Sequence, residues 1–293
     1  MSASDELRQE LAAVPRIKWM RNNSAAYFSL FLRKPRPLPP RSTPARLGLR
    51  ALGAIAVVAV TMLALDASAI AMVPALPRWL IAQFDWVTDF GKSYWLLYPI
   101  GFVLVLLAAV ASPALSAMSR AVVAAIAVRL GFLFAAIALP GIVFTIVKRL
   151  IGRARPLVGG SIDPFLYRPL SWNVEYASLP SGHAVDAFAA AAAAGALWPR
   201  TRPFMWTYAA IIAMSRVALT AHFPSDVLAG AIVAVAGVAL VRAFFASRHL
   251  AFACGEDGRI HPMSGPSWAR VKRVARALIA PKSSPVRTHD PRA

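Results

Sequence analysis

The feature that most limits how this chain can fold is a series of apolar stretches, each close to the roughly 20 residues that a helix needs to cross a bilayer. They cover residues 47–65, 94–111, 121–147, 183–198, 204–221 and 227–245. Hydrophobic residues make up 58% of the chain, above the share typical of soluble proteins. Because a lipid environment leaves backbone groups no solvent partner, such stretches predict helices. We therefore predict an all-α polytopic membrane protein, a bundle of six transmembrane helices over residues 47–246.

A polar and basic segment flanks the bundle at each end. Residues 1–46 and residues 247–293 each hold nine Lys or Arg and three acidic residues, within a chain of net charge +19. Prolines between residues 35 and 40 predict that the first segment is largely flexible. The sequence shows no pattern typical of a nucleic-acid-binding module, so these charges indicate an anionic lipid surface. The single cysteine, Cys254, excludes an intrachain disulfide.

The charge distribution also predicts the orientation. Basic segments remain on the cytoplasmic side of a membrane, and six spans place both tails there. The connection at 148–180 then lies on the outer side, although it holds five basic residues. We expect a multi-pass protein of the inner, or plasma, membrane whose outer face is periplasmic in a Gram-negative cell. The charges of the outer connection therefore require a different explanation.

Three short motifs at the outer ends of the predicted spans supply that explanation. They are Lys148-x6-Arg155-Pro156, Pro180-Ser181-Gly182-His183 and Ser215-Arg216-x5-His222-x3-Asp226. Three fixed cations can neutralise a phosphoryl group and its transition state, and the amides that open a helix form an anion site. Two histidines provide a nucleophile and an acid for a double displacement. On a helix, Asp226 would reach the His222 imidazole and fix its tautomer.

The three motifs resemble the type 2 phosphatidic acid phosphatase (PAP2) superfamily in every signature residue and in both internal spacings. The resemblance is close over residues 148–226 and extends more loosely over 47–246. It implies a lipid phosphatase that forms a phosphohistidine and works without metal or cofactor. His222 resembles the nucleophile, Asp226 its orienting partner, and His183 the general acid and then base. The phosphate-binding residues implied are Lys148, Arg155, Ser181, Gly182 and Arg216.

Several alternatives remain open at this stage. The same phosphohistidine could pass its group to an acceptor other than water, which would make the protein a transferase. A non-catalytic lipid transporter or scaffold would more often carry degenerate motifs, whereas these are intact. Asp186, one turn after His183, either tunes that histidine or pairs with an arginine. The lipid substrates that the resemblance implies are polyprenyl diphosphate, phosphatidic acid, phosphatidylglycerol phosphate and the phosphates of lipid A.

Overall fold

The protein is mostly helical. The computed structural model describes residues 18, 21–39, 42–110 and 115–279. Within that part, α1 covers residues 21–31 and a short antiparallel hairpin pairs β1 (Phe252–Cys254) with β2 (Ile260–Pro262). The other helices are α2 (Pro44–Ala64), α3 (Asp66–Met72), α4 (Arg78–Thr88), α5 (Tyr94–Val110), α6 (Ala117–Ile151), α7 (Gly182–Leu197), α8 (Arg202–Ala218), α9 (Pro224–Ser247) and α10 (Trp268–Ile279).

The predicted apolar stretches are helical over most of their described residues, but the helices differ in length. Among the described residues, four segments are long and apolar enough to cross a membrane: Pro44–Ala64, Arg78–Ala109, Ala117–Ile151 and Pro224–Ser247. The second of these joins α4 and α5 through a short turn. Helices α7 and α8 have 16 and 17 residues, so they extend about 24–26 Å. The structure therefore identifies four candidate spans, and the count of six remains a prediction.

Helix α7, which is rich in small residues, lies at the centre of the bundle. Ten of its residues are buried, and seven of these are alanines. It packs against α6, α8 and α9. The contact with α9 is especially close, because a methyl group added to Gly230 would lie 2.8 Å from the Ser181 carbonyl oxygen. Small side chains allow this approach between backbones and so fix the position of the α7 N-terminus.

The described parts of the two tails are packed against the bundle. Leu30, Phe31 and Leu38 contact the main apolar core, and the Arg36 amide donates to the Ser247 carbonyl at 2.7 Å. Residues 30–38 of the first tail therefore contact the bundle, and the largely flexible character of that tail as a whole stays a prediction. Both tails meet at the C-terminal end of α9. Helix α10 packs on the first turns of α6 through Val274.

Two chain reversals bring the motifs together at the other end of the bundle. Helix α6 ends at Gly152, which has a left-handed φ of 65°. A side chain at this position would clash with the Arg168 carbonyl. Helix α8 ends just before Thr220, where a φ of 50° turns the chain toward α9. Helix α9 then begins with Pro224 at a position that needs no amide hydrogen. The motif end and the tail end are separated by the 24 residues of α9.

Candidate active site

The N-terminus of α7 forms the floor of the candidate site. Ser181 is the N-cap residue, but its hydroxyl makes no capping hydrogen bond. Its backbone amide donates to the Asp226 carbonyl at 3.0 Å, which joins the second motif to the third. A methyl group added to Gly182 would lie 3.9 Å from Lys148 Nζ, so the first motif also reaches this helix start. All three motifs therefore meet at one place.

Three cationic side chains surround this point. Lys148 lies in the last turn of α6 and Arg155 in the loop that follows, while Arg216 lies near the end of α8 and is only 8% exposed. Within the described part of the chain, none of the three forms an ion pair with a carboxylate. Burial lowers the pKa of Arg155, and the neighbouring charge of Arg149 acts in the same direction. Cations held in this way favour an anionic ligand.

Four residues of the candidate site carry a buried polar atom that has no hydrogen-bond partner in the described part of the chain. Arg155 Nε, Ser181 Oγ, His183 Nε2 and Arg216 Nε are buried and have no hydrogen-bond partner among the residues described. Buried polar atoms in native proteins are nearly always paired. These four come from all three motifs. Together they fit a ligand that carries several acceptor oxygens, as a phosphoryl group does.

His222 is buried just before α9, with 3% of its surface exposed. Its backbone amide donates to the Arg216 carbonyl at 3.2 Å. Burial lowers the pKa of its imidazole, and the positive charges of Arg216 and Arg155 lower it further. The negative charge of Asp226 acts in the opposite direction. Burial therefore favours the neutral form of the ring, which is the form that a histidine nucleophile requires.

The contact between His222 and Asp226 differs from the predicted one. Their Nδ1 and Oδ2 atoms are 3.8 Å apart, beyond a direct hydrogen bond. The Ser178 hydroxyl lies between them, 3.4 Å from Nδ1, and donates to Asp226 Oδ2 at 2.6 Å. The prediction assumed a helix that runs from His222 to Asp226, but α9 begins only at Pro224. Asp226 Oδ2 also accepts a hydrogen bond from the Phe223 amide at 2.9 Å. Asp226 thus faces His222 mainly through a bridging hydroxyl.

His183 lies in the first turn of α7, and its ring packs against the turn between α4 and α5. A methyl group added to Gly91 would lie 3.1 Å from His183 Cδ2. Asp186 holds this turn, because its Oδ2 accepts a hydrogen bond from the Ser93 amide at 3.1 Å. Among the described residues Asp186 forms no ion pair with an arginine, so that alternative for its role has no support.

The comparisons with known proteins agree with this arrangement. A model described as the PAP2 superfamily matches residues 129–250. A lipid A 1-phosphatase from Rhizobium johnstonii is 32% identical over 192 residues, which are 65% of this chain and 74% of that protein. The chain belongs to the PAP2 superfamily. The matched region of this PAP2 protein includes all three motifs.

Two further proteins are similar to this PAP2 chain. A lipid A 1-phosphatase from Rhizobium etli is 38% identical over 99 residues, which are 34% of this chain and 43% of that protein. The crystal structure of a transmembrane PAP2-type phosphatidylglycerolphosphate phosphatase from Bacillus subtilis superposes with a TM-score of 0.46. It is 20% identical and the match covers 66% of this chain and 94% of that one.

Four residues of this PAP2 protein support the site but were not predicted. Thr88 accepts a hydrogen bond from Arg216 Nη1 at 2.7 Å. Ser178 bridges His222 and Asp226, and the fully buried Arg153 pairs with both Asp66 and Asp226. One signal was available for Arg153, since it is among the five basic residues of the outer connection. Asp66 and Thr88 lie far from the motifs in sequence, and only the folded chain brings them near.

Proposed function

We propose that this protein is a membrane lipid phosphatase that hydrolyses a lipid phosphate monoester through a phosphohistidine. The observation that carries the proposal concerns the described residues: three cations without a carboxylate partner lie beside two histidines, and Arg155, Ser181, His183 and Arg216 each carry a buried polar atom without a hydrogen-bond partner. The family membership supports phosphatase chemistry. The position of the motifs at the ends of long apolar helices supports a substrate held in the membrane.

In the first step, His222 Nε2 attacks phosphorus and the bond to the leaving lipid oxygen breaks. Ser178 and Asp226 face Nδ1, so the opposite nitrogen is directed at the substrate. His183 donates a proton to the leaving oxygen, which departs as an alcohol. The cationic side chains and the α7 amides stabilise the charge of the transferring group. The product is a phosphorylated His222.

In the second step, water attacks the phosphohistidine. His183, which has given up its proton, takes one from this water as a base, and the phosphorus–nitrogen bond breaks. Inorganic phosphate leaves and His222 returns to its neutral form. The positive charges of Lys148, Arg155 and Arg216 take the place that a metal ion holds in other phosphatases, so the proposed reaction is metal-independent.

We propose the 1-phosphate of lipid A as the substrate, because both Rhizobium relatives bear the name lipid A 1-phosphatase. A cavity of about 720 Å³ lies beside the N-terminus of α7, and its lining fits an amphiphilic ligand. Apolar side chains of α5 and α6 line one part of it, including Leu97, Phe134 and Ile142, whereas Lys148 and His183 line the other. An acyl chain can occupy the first part while the phosphate reaches the second.

A phosphate-release assay in detergent micelles tests this function. The substrates are lipid A 1-phosphate, polyprenyl diphosphate, phosphatidic acid and phosphatidylglycerol phosphate, and the blank is the His222→Ala variant. We expect release from lipid A at the 1-position, unchanged by EDTA. Release from none of the four lipids would contradict a lipid phosphatase. Loss with EDTA that Mg²⁺ or Zn²⁺ restores would contradict the mechanism.

A further inference from the structure

Asp66 is a buried carboxylate that no motif explains. It opens α3 and has no solvent-exposed surface. Its Oδ1 accepts from the Ser225 amide at 2.9 Å, and its Oδ2 accepts from the Ser225 hydroxyl at 2.5 Å and from Arg153 Nη2 at 2.7 Å. A fully buried carboxylate is costly unless it is paired and hydrogen-bonded, and here every contact leads toward the third motif.

Arg153 connects Asp66 to the candidate active site. Its side chain is fully buried, and its Nη1 donates to Asp226 Oδ1 at 2.6 Å and to the Ser225 hydroxyl at 2.7 Å. Its Nε donates to the Pro164 carbonyl at 3.0 Å, so the guanidinium is fixed on three sides. A continuous path therefore runs from Asp66 through Arg153 to Asp226, and from there through Ser178 to His222.

The charges along this path do not cancel while His222 is neutral. Asp66 and Asp226 contribute two negative charges and Arg153 one positive charge, so the group has a net charge of −1. When His222 attacks phosphorus, its imidazole gains positive charge and the group becomes neutral. Without Asp66, Arg153 would already neutralise Asp226, and the developing charge on His222 would have no counter-charge on this side. In a buried site such an imbalance is costly.

We propose that Asp66 is a positioning residue for the phosphoryl-transfer step, acting on His222 through Arg153 and Asp226. The Asp66 carboxylate neutralises the positive charge of the Arg153 guanidinium. The negative charge of Asp226 then remains available to stabilise the positive charge that develops on His222. Asp66 touches neither substrate nor reacting atoms. This inference rests on the proposed function of His222.

The test compares Asp66→Asn with wild type and with Asp163→Asn, which changes an exposed aspartate in the outer connection. Phosphate release gives kcat and KM, and kcat/KM is followed from pH 4 to 9. We expect Asp66→Asn to lower kcat about tenfold or more with KM within twofold, because the lost interaction forms during the chemical step. We expect Asp163→Asn to match wild type.

The pH profile separates this role from a purely structural one. Removing a negative charge destabilises the imidazolium form of His222, so the acid limb of kcat/KM should move to lower pH in Asp66→Asn. The charged groups that face His222 from its surroundings are Asp226, Arg153, Arg155, His183 and Arg216, and all are unchanged in the variant. The ionisation of the substrate is also unchanged. A loss of kcat with an unmoved limb, or a kcat within twofold of wild type, would overturn the inference.

A double variant keeps the test decisive if Asp66→Asn does not fold. Asp66→Asn with Arg153→Gln removes one charge of each sign and restores the net charge of −1. Its acid limb should coincide with that of wild type, and a displaced limb would overturn the inference. Failure of the proposed function is distinguishable, because wild type itself would then release no phosphate.

Discussion

At the scale of single residues, the environment of His222 determines what the site can do. The ring is almost fully buried beside two positive charges, so its neutral form is favoured. Its Nδ1 edge faces Ser178 and Asp226, which leaves the other nitrogen for the reaction. Burial thus favours the neutral ring that the proposed nucleophile requires, and the polar contacts on one edge orient that ring.

The pH dependence of catalysis follows from this burial. An imidazole whose pKa is lowered stays neutral to a more acidic pH than the usual value of about 6.5. Below its pKa, His222 becomes protonated and cannot attack. We therefore expect the acid limb of kcat/KM to have its midpoint below pH about 6.5. A midpoint above 7, measured with a substrate that is fully ionised across this range, would contradict a neutral buried nucleophile.

Ser178 provides a second test at this scale. Ser178→Ala removes the hydroxyl that bridges His222 Nδ1 and Asp226. We expect this variant to lower kcat about tenfold, equivalent to about 1.4 kcal/mol, with KM within twofold of wild type. Ser161→Ala, an exposed serine of the same connection, is the matched control. Equal activity of the two variants would show that Asp226 orients His222 without the hydroxyl.

The motif residues could be predicted from the sequence, whereas their supporting contacts could not. Each of His183, Arg216 and His222 belongs to a spaced pattern that resembles a family. Ser178 and Asp66 have no such pattern. Their roles depend on tertiary contacts over 48 and 159 residues of separation, which no local spacing encodes. His222 and Asp226 do lie beside each other, but the Ser178 hydroxyl bridges them because α9 begins at Pro224, two residues after His222.

At the scale of elements, α7 links the candidate active site to the bundle. Its N-terminus supplies Ser181, Gly182 and His183, and its alanine-rich body packs between three neighbouring helices. The central place of this helix could be predicted, because small residues mark close helix contacts in lipid. The packing of residues 30–38 on the bundle could not be predicted, since their proline-rich sequence is equally compatible with a free chain.

Gly230 tests how closely α9 and α7 must approach. In Gly230→Ala the new methyl group would lie 2.8 Å from the Ser181 carbonyl oxygen, so the α7 N-terminus must shift. We expect a stability loss of about 1–3 kcal/mol and a loss of activity of about tenfold or more. Gly53→Ala is the control, because a methyl group there meets no atom within 4 Å. Thermal unfolding in detergent measures the stability, and phosphate release measures the activity. Unchanged activity in Gly230→Ala would show that catalysis does not need this close approach of α9 and α7.

At the scale of the whole molecule, the site and the tails lie at opposite ends of the bundle. Lys148, His183 and His222 gather at the N-terminal end of α9, while the Arg36 amide and the Arg248 side chain make hydrogen bonds at its C-terminal end. The basic character of both tails favours the cytoplasmic side for the second end. We therefore propose that the catalytic end faces outward and acts on lipids of the outer leaflet.

The single cysteine allows this orientation to be measured. Cys254 lies at the tail end, in β1, and Trp172 is 84% exposed at the site end. In intact spheroplasts, a membrane-impermeant thiol reagent should label Trp172→Cys in a Cys254→Ser background and should leave wild-type Cys254 unlabelled. Cys254 should react once the membrane is permeabilised. The reverse pattern would place the site in the cytoplasm.

The account as a whole depends on a covalent phosphohistidine at His222, so trapping that intermediate is its most direct test. Lipid substrate labelled in the transferred phosphate is mixed with enzyme and quenched within milliseconds to seconds. Wild type should acquire a label that is stable in base and labile in acid. His183→Ala should acquire it more slowly, because the leaving oxygen is no longer protonated. His222→Ala should acquire none. Labelling of His222→Ala equal to wild type would contradict the central claim.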